Sequence, residues 1–244
     1  MARIIKQCTI MPIPREQREE ADLNAIEVNP NNLLSTSPTL EGAADTRRLW
    51  PNGSRLRVCF LEGDPAVHKR VQPVVEEWSQ FANIHFQFVN DPKAEIRVSF
   101  DKRTGSWSYV GVDCLLPWLR GKPTLNLGWL KPNTAQTEYN RVVLHEFGHA
   151  LGLIHEHLSP AATIPWDEAK VISYYKRTQG WTEAYVRSNL LNKTPVDKFT
   201  RFDPQSIMLY AIDKSLTKDG SSTGWNTSLS ELDKSFIAEC YPKT

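Results

Sequence analysis

The sequence predicts an α+β fold: a twisted five-stranded sheet with helices, followed by an irregular, helical C-terminal half. Three observations predict it. Between residues 55 and 127, five short stretches alternate or cluster apolar residues in the manner of strands. Among them, residues 65–78 space their valines as one face of a helix does. Beyond residue 136 the strand patterns give way to helical spacing, caps and turn residues.

Residues 1–46 differ from the rest. They are rich in Pro, Asn, Glu and Ser, and they hold too few apolar residues for a core of their own. They form an N-terminal extension, which either dangles or lies on a main domain at 47–244. Pro14 opens a short helix through Ile26, Pro30, Asn31 and Asn32 end it, and 35–45 reads as a linker. From Trp50 the patterns sharpen. Leu56, Val58 and Phe60 alternate with Arg55 and Arg57 as a strand that Gly63 ends. Asp64 and Pro65 are an N-cap and first-turn pair for a helix carrying Val67, Val71, Val74, Val75 and Trp78. Pro73 inside it predicts a kink or a late start. Ile84, Phe86 and Phe88, then Ile96, Val98 and Phe100, are two strands joined by an Asp91-Pro92 turn. Residues 107–111 and 124–127 complete the five. Helices follow at 137–151, 165–177 and 182–191, the last two parted by Gly180. Ser230-Glu231-Leu232-Asp233 is a capping-box pattern that opens a final helix to Tyr241.

Composition excludes several classes. The 29 basic and 28 acidic residues nearly cancel, so no field favours nucleic acid or an anionic membrane. The longest apolar run, 114–119, contains Pro117 and is far short of the ~18 residues a span needs. The N-terminus lacks a continuous apolar stretch and a small-residue cleavage site. The expected location is therefore the cytoplasm, or outside it by a signal-peptide-independent route. Cys8, Cys59, Cys114 and Cys240 are widely spaced and read as free thiols. A monomer is expected.

Four of the six histidines fall within 145–157, in the run His145-Glu146-Phe147-Gly148-His149-Ala150-Leu151-Gly152-Leu153-Ile154-His155-Glu156-His157. On a helix, His145 and His149 share a face, offset by about 40° and about 6 Å along the axis. Glu146 points about 100° away, beside a shared metal without ligating it. Gly152 stops the helix, because glycine takes positive φ cheaply. His155 then returns as a third ligand. Three imidazoles leave a fourth position open on Zn²⁺, the mark of a catalytic site. A helix that merely contains histidines is the plain rival. The extended H-E-x-x-H-x-x-G-x-x-H fixes five positions, a chance match of roughly one in ten thousand or rarer at this length.

This motif resembles that of the metzincin zinc proteases. Within them Ser206-Ile207-Met208-Leu209-Tyr210 is similar to the astacin Ser-x-Met-x-Tyr. Glu156 after the third histidine and Trp107-Ser108-Tyr109-Val110-Gly111 are also astacin-like. The resemblance covers roughly 47–244 and implies a metzincin-type catalytic domain. Its mostly parallel sheet would lie above the cleft, with one zinc at the floor, a methionine turn at Met208 beneath, and the helical half below. It implies a zinc-dependent endopeptidase that hydrolyses protein or peptide substrates through a zinc-activated water, with Glu146 as general base. Tyr210 would be a further zinc ligand or an oxyanion donor. The strand at 107–111 would pair with an extended substrate, although periodicity alone allows an interior strand equally well. Residues 1–46 become a candidate pro-segment. Rival readings are a catalytically silent zinc-binding interaction module, disfavoured by retention of Glu146, and a matrixin- or serralysin-like branch. Calcium-binding repeats of the serralysin kind are absent from the sequence.

The departures matter. Astacins carry an Arg-rich stretch after the third histidine and two disulfides. Here Ser159, Pro160, Ala161 and Ala162 fill that stretch, and Ser106 stands where a cysteine precedes the tryptophan. The disulfides and the acidic side-chain preference do not carry over. Phe60-Leu61-Glu62-Gly63-Asp64 is similar to the zinc-blocking segment of astacin pro-regions but one residue too long, and Asp64 reads as a helix cap. Cys8 is a candidate latency ligand, since thiolate binds zinc strongly. Its context, Lys6-Gln7-Cys8-Thr9, lacks the matrixin switch motif. A passive strut with Cys8 packed as a small apolar residue is preferred on sequence. His68, His85 and His157 lack ligand spacing and read as surface or core residues.

Overall fold

The computed structural model describes residues 8–33, 44–194, 196 and 199–243. The expected linker at 35–45 lies outside them, apart from Ala44 and Asp45. Six strands form one sheet: β1 Cys8–Ile10, β2 Arg55–Phe60, β3 His85–Phe88, β4 Ile96–Ser99, β5 Ser106–Ser108 and β6 Leu125–Leu127. Their order is β1-β5-β6-β4-β2-β3. Every pairing is parallel except β5 with β6. The sheet is thus one strand wider than the periodicity predicts. The extra strand comes from the N-terminal extension, whose three residues are too few to display a period of two.

The helices are α1 Arg18–Val28, α2 Pro65–Ser79, α3 Gln136–Ala150, α4 Glu168–Gln179, α5 Glu183–Val186 and α6 Glu231–Cys240. α1 follows a 3-10 turn at Arg15–Gln17 rather than starting at Pro14. α2 starts at Pro65, with the Asp64 carboxylate accepting the Ala66 N–H at 2.8 Å. It runs through Pro73 as one helix. Burial of Val67, Val71, Val74, Val75 and Trp78 outweighs the hydrogen bond that proline removes. The helical stretch at 182–191 divides into α5 and a π-turn at Arg187–Leu191.

α2 packs on α3 and β3, and α3 packs on β5 and β6. The Trp78 indole donates to the Leu144 carbonyl at 3.1 Å, which fixes α3 lengthwise. A Cβ on Gly148 would lie 2.5 Å from Met208 Sδ, so glycine there lets the methionine turn press against α3. The described part of the extension lies on the main domain. Ala21 and Ala25 of α1 join the main core. The Asn29 amide donates to the Leu49 and Trp50 carbonyls, both at 3.1 Å. Buried Arg48 pairs with Asp113 at 2.8 Å and with Asp22 of α1.

Beyond α3 the chain is irregular and is held by polar ties. Ser230 and Asp233 form the expected capping box on α6. The same Asp233 carboxylate accepts the Ser206 hydroxyl at 2.7 Å and the Ile207 N–H at 2.8 Å. One side chain thus fixes the start of α6 to the turn that carries Met208.

Asp233→Ala would leave the Ile207 and Ser230 N–H groups and the Ser206 hydroxyl without that acceptor. Each buried unpaired group costs about 1–3 kcal/mol. The expected loss is about 2–4 kcal/mol, read as a lower midpoint in urea unfolding. An unchanged midpoint would mean that apolar packing alone holds the turn.

Candidate metal centre

The last turns of α3 carry His145, Glu146 and His149. One turn apart, the two imidazoles sit 4.8 Å apart between centroids and at 90°. α3 stops at Ala150, and Gly152 takes φ +99°, a conformation that side chains resist. The chain reverses there. His155 arrives with its ring 4.6 Å from His149 and 5.2 Å from His145. One nitrogen from each of the three lies within 4.8 Å of the others, and the Nε2 atoms of His149 and His155 are 3.1 Å apart.

Two backbone carbonyls set the tautomers. The carbonyl of Ile207 faces His145 Nδ1 at 2.8 Å, and that of Leu153 faces His149 Nδ1 at 2.8 Å. A carbonyl only accepts, so each Nδ1 carries the proton and each Nε2 keeps its lone pair. Burial keeps the rings neutral. It pushes His149 down to about 4, and with the neighbouring imidazoles it pushes His145 and His155 well below the ordinary value. His145 Nε2 and both Glu146 oxygens are buried without hydrogen-bond partners. Three converging neutral nitrogens and a carboxylate beside them fit a zinc ion with one position left for water.

Burial raises the Glu146 carboxyl well above its usual range. Tyr210 lies under the cluster, 4.4 Å from the His155 ring and 4.6 Å from that of His157. Burial likewise holds its phenol neutral, so it remains a donor. Its hydroxyl donates to the backbone carbonyl of Cys8. Cys8 itself is buried, and burial first, then the nearby Glu146 charge, raises its thiol well above the usual range. The structure therefore brings all six predicted site residues together: His145, Glu146, His149, His155, Tyr210 and Cys8.

The strand at the rim settles an open question. β5 pairs with β6 on one edge and with β1 on the other, in the register Cys8↔Ser106, Thr9↔Trp107 and Ile10↔Ser108. β5 has both edges paired because the chain's own extension covers one.

Several other residues support the site in ways that their sequence pattern does not show. His157 is core, as one of its two readings had it, but it is wedged between His155 and Tyr210 and donates from Nε2 to the Asn189 carbonyl at 2.8 Å. Glu156 accepts the Asp203 N–H at 2.9 Å, and its own N–H donates to the Met208 carbonyl at 3.1 Å, joining the third-ligand loop to the methionine turn. Leu153 and Ile207 act through backbone atoms, for which residue type carries no signal. His68 stacks on Phe60, and His85 is exposed on β3. Cys8, Cys59, Cys114 and Cys240 are free thiols, as read.

The profile of the astacin peptidase family matches residues 43–236. A structure of myroilysin superposes with a TM-score of 0.80 at 42% identity, covering 83% of this chain and 100% of that one. A crystal structure of myroilysin gives 0.64 at 37% identity, covering 97% and 100%. High choriolytic enzyme 1, a hatching-enzyme zinc protease from Oryzias latipes (medaka fish), gives 0.57 at 16% identity, covering 84% and 100%, a likeness of fold. No curated protein sequence matches the chain.

Purified protein should carry about one zinc per chain, as three converging imidazoles imply. His155→Ala should cut occupancy sharply, measured by metal analysis after dialysis against a weak chelator. Full occupancy in that variant would exclude His155 as a ligand.

Proposed function

The chain belongs to the astacin family of zinc peptidases, and from that premise we propose how its residues divide the work and how its N-terminal extension restrains it. It is a zinc-dependent endopeptidase acting on protein or peptide substrates. The observation that carries this reading is the buried imidazole trio with Glu146 beside it.

Zinc held by His145, His149 and His155 supplies Lewis acidity, which makes a water nucleophilic near neutral pH and polarises the scissile carbonyl. Glu146 takes the proton of the attacking water on a carboxylate oxygen. As the C–N bond breaks, Glu146 passes that proton to the departing nitrogen. Tyr210 donates its hydroxyl to the carbonyl oxygen as negative charge develops there. Its present bond to the Cys8 carbonyl supports this role, because a peptide carbonyl is already its acceptor. A catalytically silent binding module would give no reason for a fully buried carboxylate beside the imidazole trio.

The extension holds the enzyme latent. β1 lies along β5, where an extended substrate would add as a strand. The Cys8 carbonyl engages Tyr210, and the Cys8 side chain is buried near Glu146. We propose that, with zinc held by the three imidazoles, the Cys8 sulfur would give up its present contact with Glu146 and bind the metal as thiolate in place of water. The same strand thus removes the water, the oxyanion donor and the substrate's pairing edge. The near-balanced charge supports action away from nucleic acid and anionic membranes, and the absence of disulfides among the described cysteines supports synthesis in a reducing compartment.

Cys8→Ala in the full chain should raise peptide hydrolysis severalfold with zinc content unchanged. Adding Glu146→Gln should abolish that activity, by ~10² to 10⁴-fold for a general acid–base group, while zinc stays bound. Equal activity of wild type and Cys8→Ala would make the extension a passive strut. Full activity with Glu146→Gln would move the base to another residue.

A further inference from the structure

The strand that covers the cleft also reports what the cleft accepts. Along an extended strand, residues two apart face the same side. Cys8 and Ile10 therefore face together, with Thr9 opposite. The side chain of Ile10 packs against the buried pair Ile154 and Leu158, on which Val196 also packs, and these three residues outline an apolar slot. Ile154 directly precedes the ligand His155, and both Ile154 and Leu158 are 4% exposed. The slot is thus built on the third-ligand loop and lies beside β5, opposite whose Ser108 Ile10 sits.

Its chemistry is apolar throughout. Lys193, from the segment before Val196, donates to the carbonyls of His157 and Ala162, so its ammonium braces the loop. Ala161 and Ala162 follow the loop without a charged side chain. An acidic side chain entering here would leave water with no cation directed toward it. An aliphatic one would gain the contacts Ile10 now makes.

We propose that Ile154, Leu158 and Val196 form a specificity subsite that selects peptides with an aliphatic side chain within two residues of the scissile bond. The proposal rests on the peptidase reading above and on the cleft position of β1. It does not depend on strand polarity. The slot is fixed in the protein, and an extended peptide on β5 running either way meets it at that distance from the carbonyl over Glu146.

Two measurements test it. The first needs no turnover. In the zinc-loaded full chain, the rate of Cys8 alkylation by iodoacetamide, followed by peptide mass mapping, reports how firmly β1 is seated. Ile10→Asp should raise that rate about 10-fold or more, and Ile10→Leu should hold it within about twofold, if an apolar slot anchors the strand. Equal rates for wild type and Ile10→Asp would overturn the slot. The second uses Cys8→Ala in the full chain against a mixed peptide library. Val, Ile and Leu should exceed Asp and Glu by about 10-fold or more in kcat/KM at one position within two residues of the cut. Val196→Lys in that background should shift preference toward acidic residues at the same position only. A flat or acidic profile in the Cys8→Ala chain would overturn the proposal. A library left uncut would count against the peptidase reading itself, and the alkylation rates would then decide whether the slot exists.

Discussion

Everything in this molecule that bears on chemistry depends on the convergence of three imidazoles in a volume from which water is largely excluded. The α-helical period brings two of them to one side of α3, and the positive φ of Gly152 brings the third back. Burial of such polar rings would be costly without partners. The fold meets that cost locally: the Ile207 and Leu153 carbonyls take the Nδ1 protons. Desolvation then keeps the rings neutral, which is the state that binds a metal. The sheet and α2 act as a frame that holds α3 lengthwise through Trp78. The C-terminal half holds the Ile207 carbonyl in place through the turn that Asp233 fastens. His145 thus depends on an interaction nearly ninety residues further along the chain.

The N-terminal extension is explained by the same centre. A peptidase cleft needs an unpaired strand edge, a donor for the developing oxyanion and an open metal position. Each of these invites a peptide segment, and here the segment is supplied by the chain itself. α1 adds little apolar area, chiefly Ala21 and Ala25, so it is held by polar ties as well. The Asn29 amide on the carbonyls of residues 49 and 50, and Arg48 between Asp22 and Asp113, serve that purpose. Polar ties of this kind exchange with water more readily than a hydrophobic core does, which suits the latent role proposed for this segment.

Much of this was legible in the sequence, for identifiable reasons. Spacing alone named His145, His149 and His155, because helix period and a glycine stop are rigid geometric facts. Alternation at 55–60 and 96–100 placed two central strands, although every residue of 96–99 is buried and Arg97 is satisfied by carbonyls. The Ser230–Asp233 capping box was visible because it is local. What escaped was either too short or made by the backbone. β1 is three residues long and forms only because β5 offers an edge. The carbonyls of Leu153 and Ile207 have no residue signature. His157 lacks ligand spacing because it supports its neighbours by packing. Pro73 did not delay the start of α2, because tertiary burial outweighed a local preference. Cys8 was visible as chemistry, yet the strut was preferred because nothing in the chain tells how far residue 8 lies from residue 146.

The central claim is that a thiolate from the chain's own extension shares the metal with three imidazoles. X-ray absorption at the zinc edge of the full-length protein tests it directly. One sulfur at about 2.3 Å is expected beside nitrogens at about 2.0–2.1 Å, with the sulfur lost in Cys8→Ala and the nitrogens retained. A shell of nitrogen and oxygen alone, the same in both proteins, would contradict it.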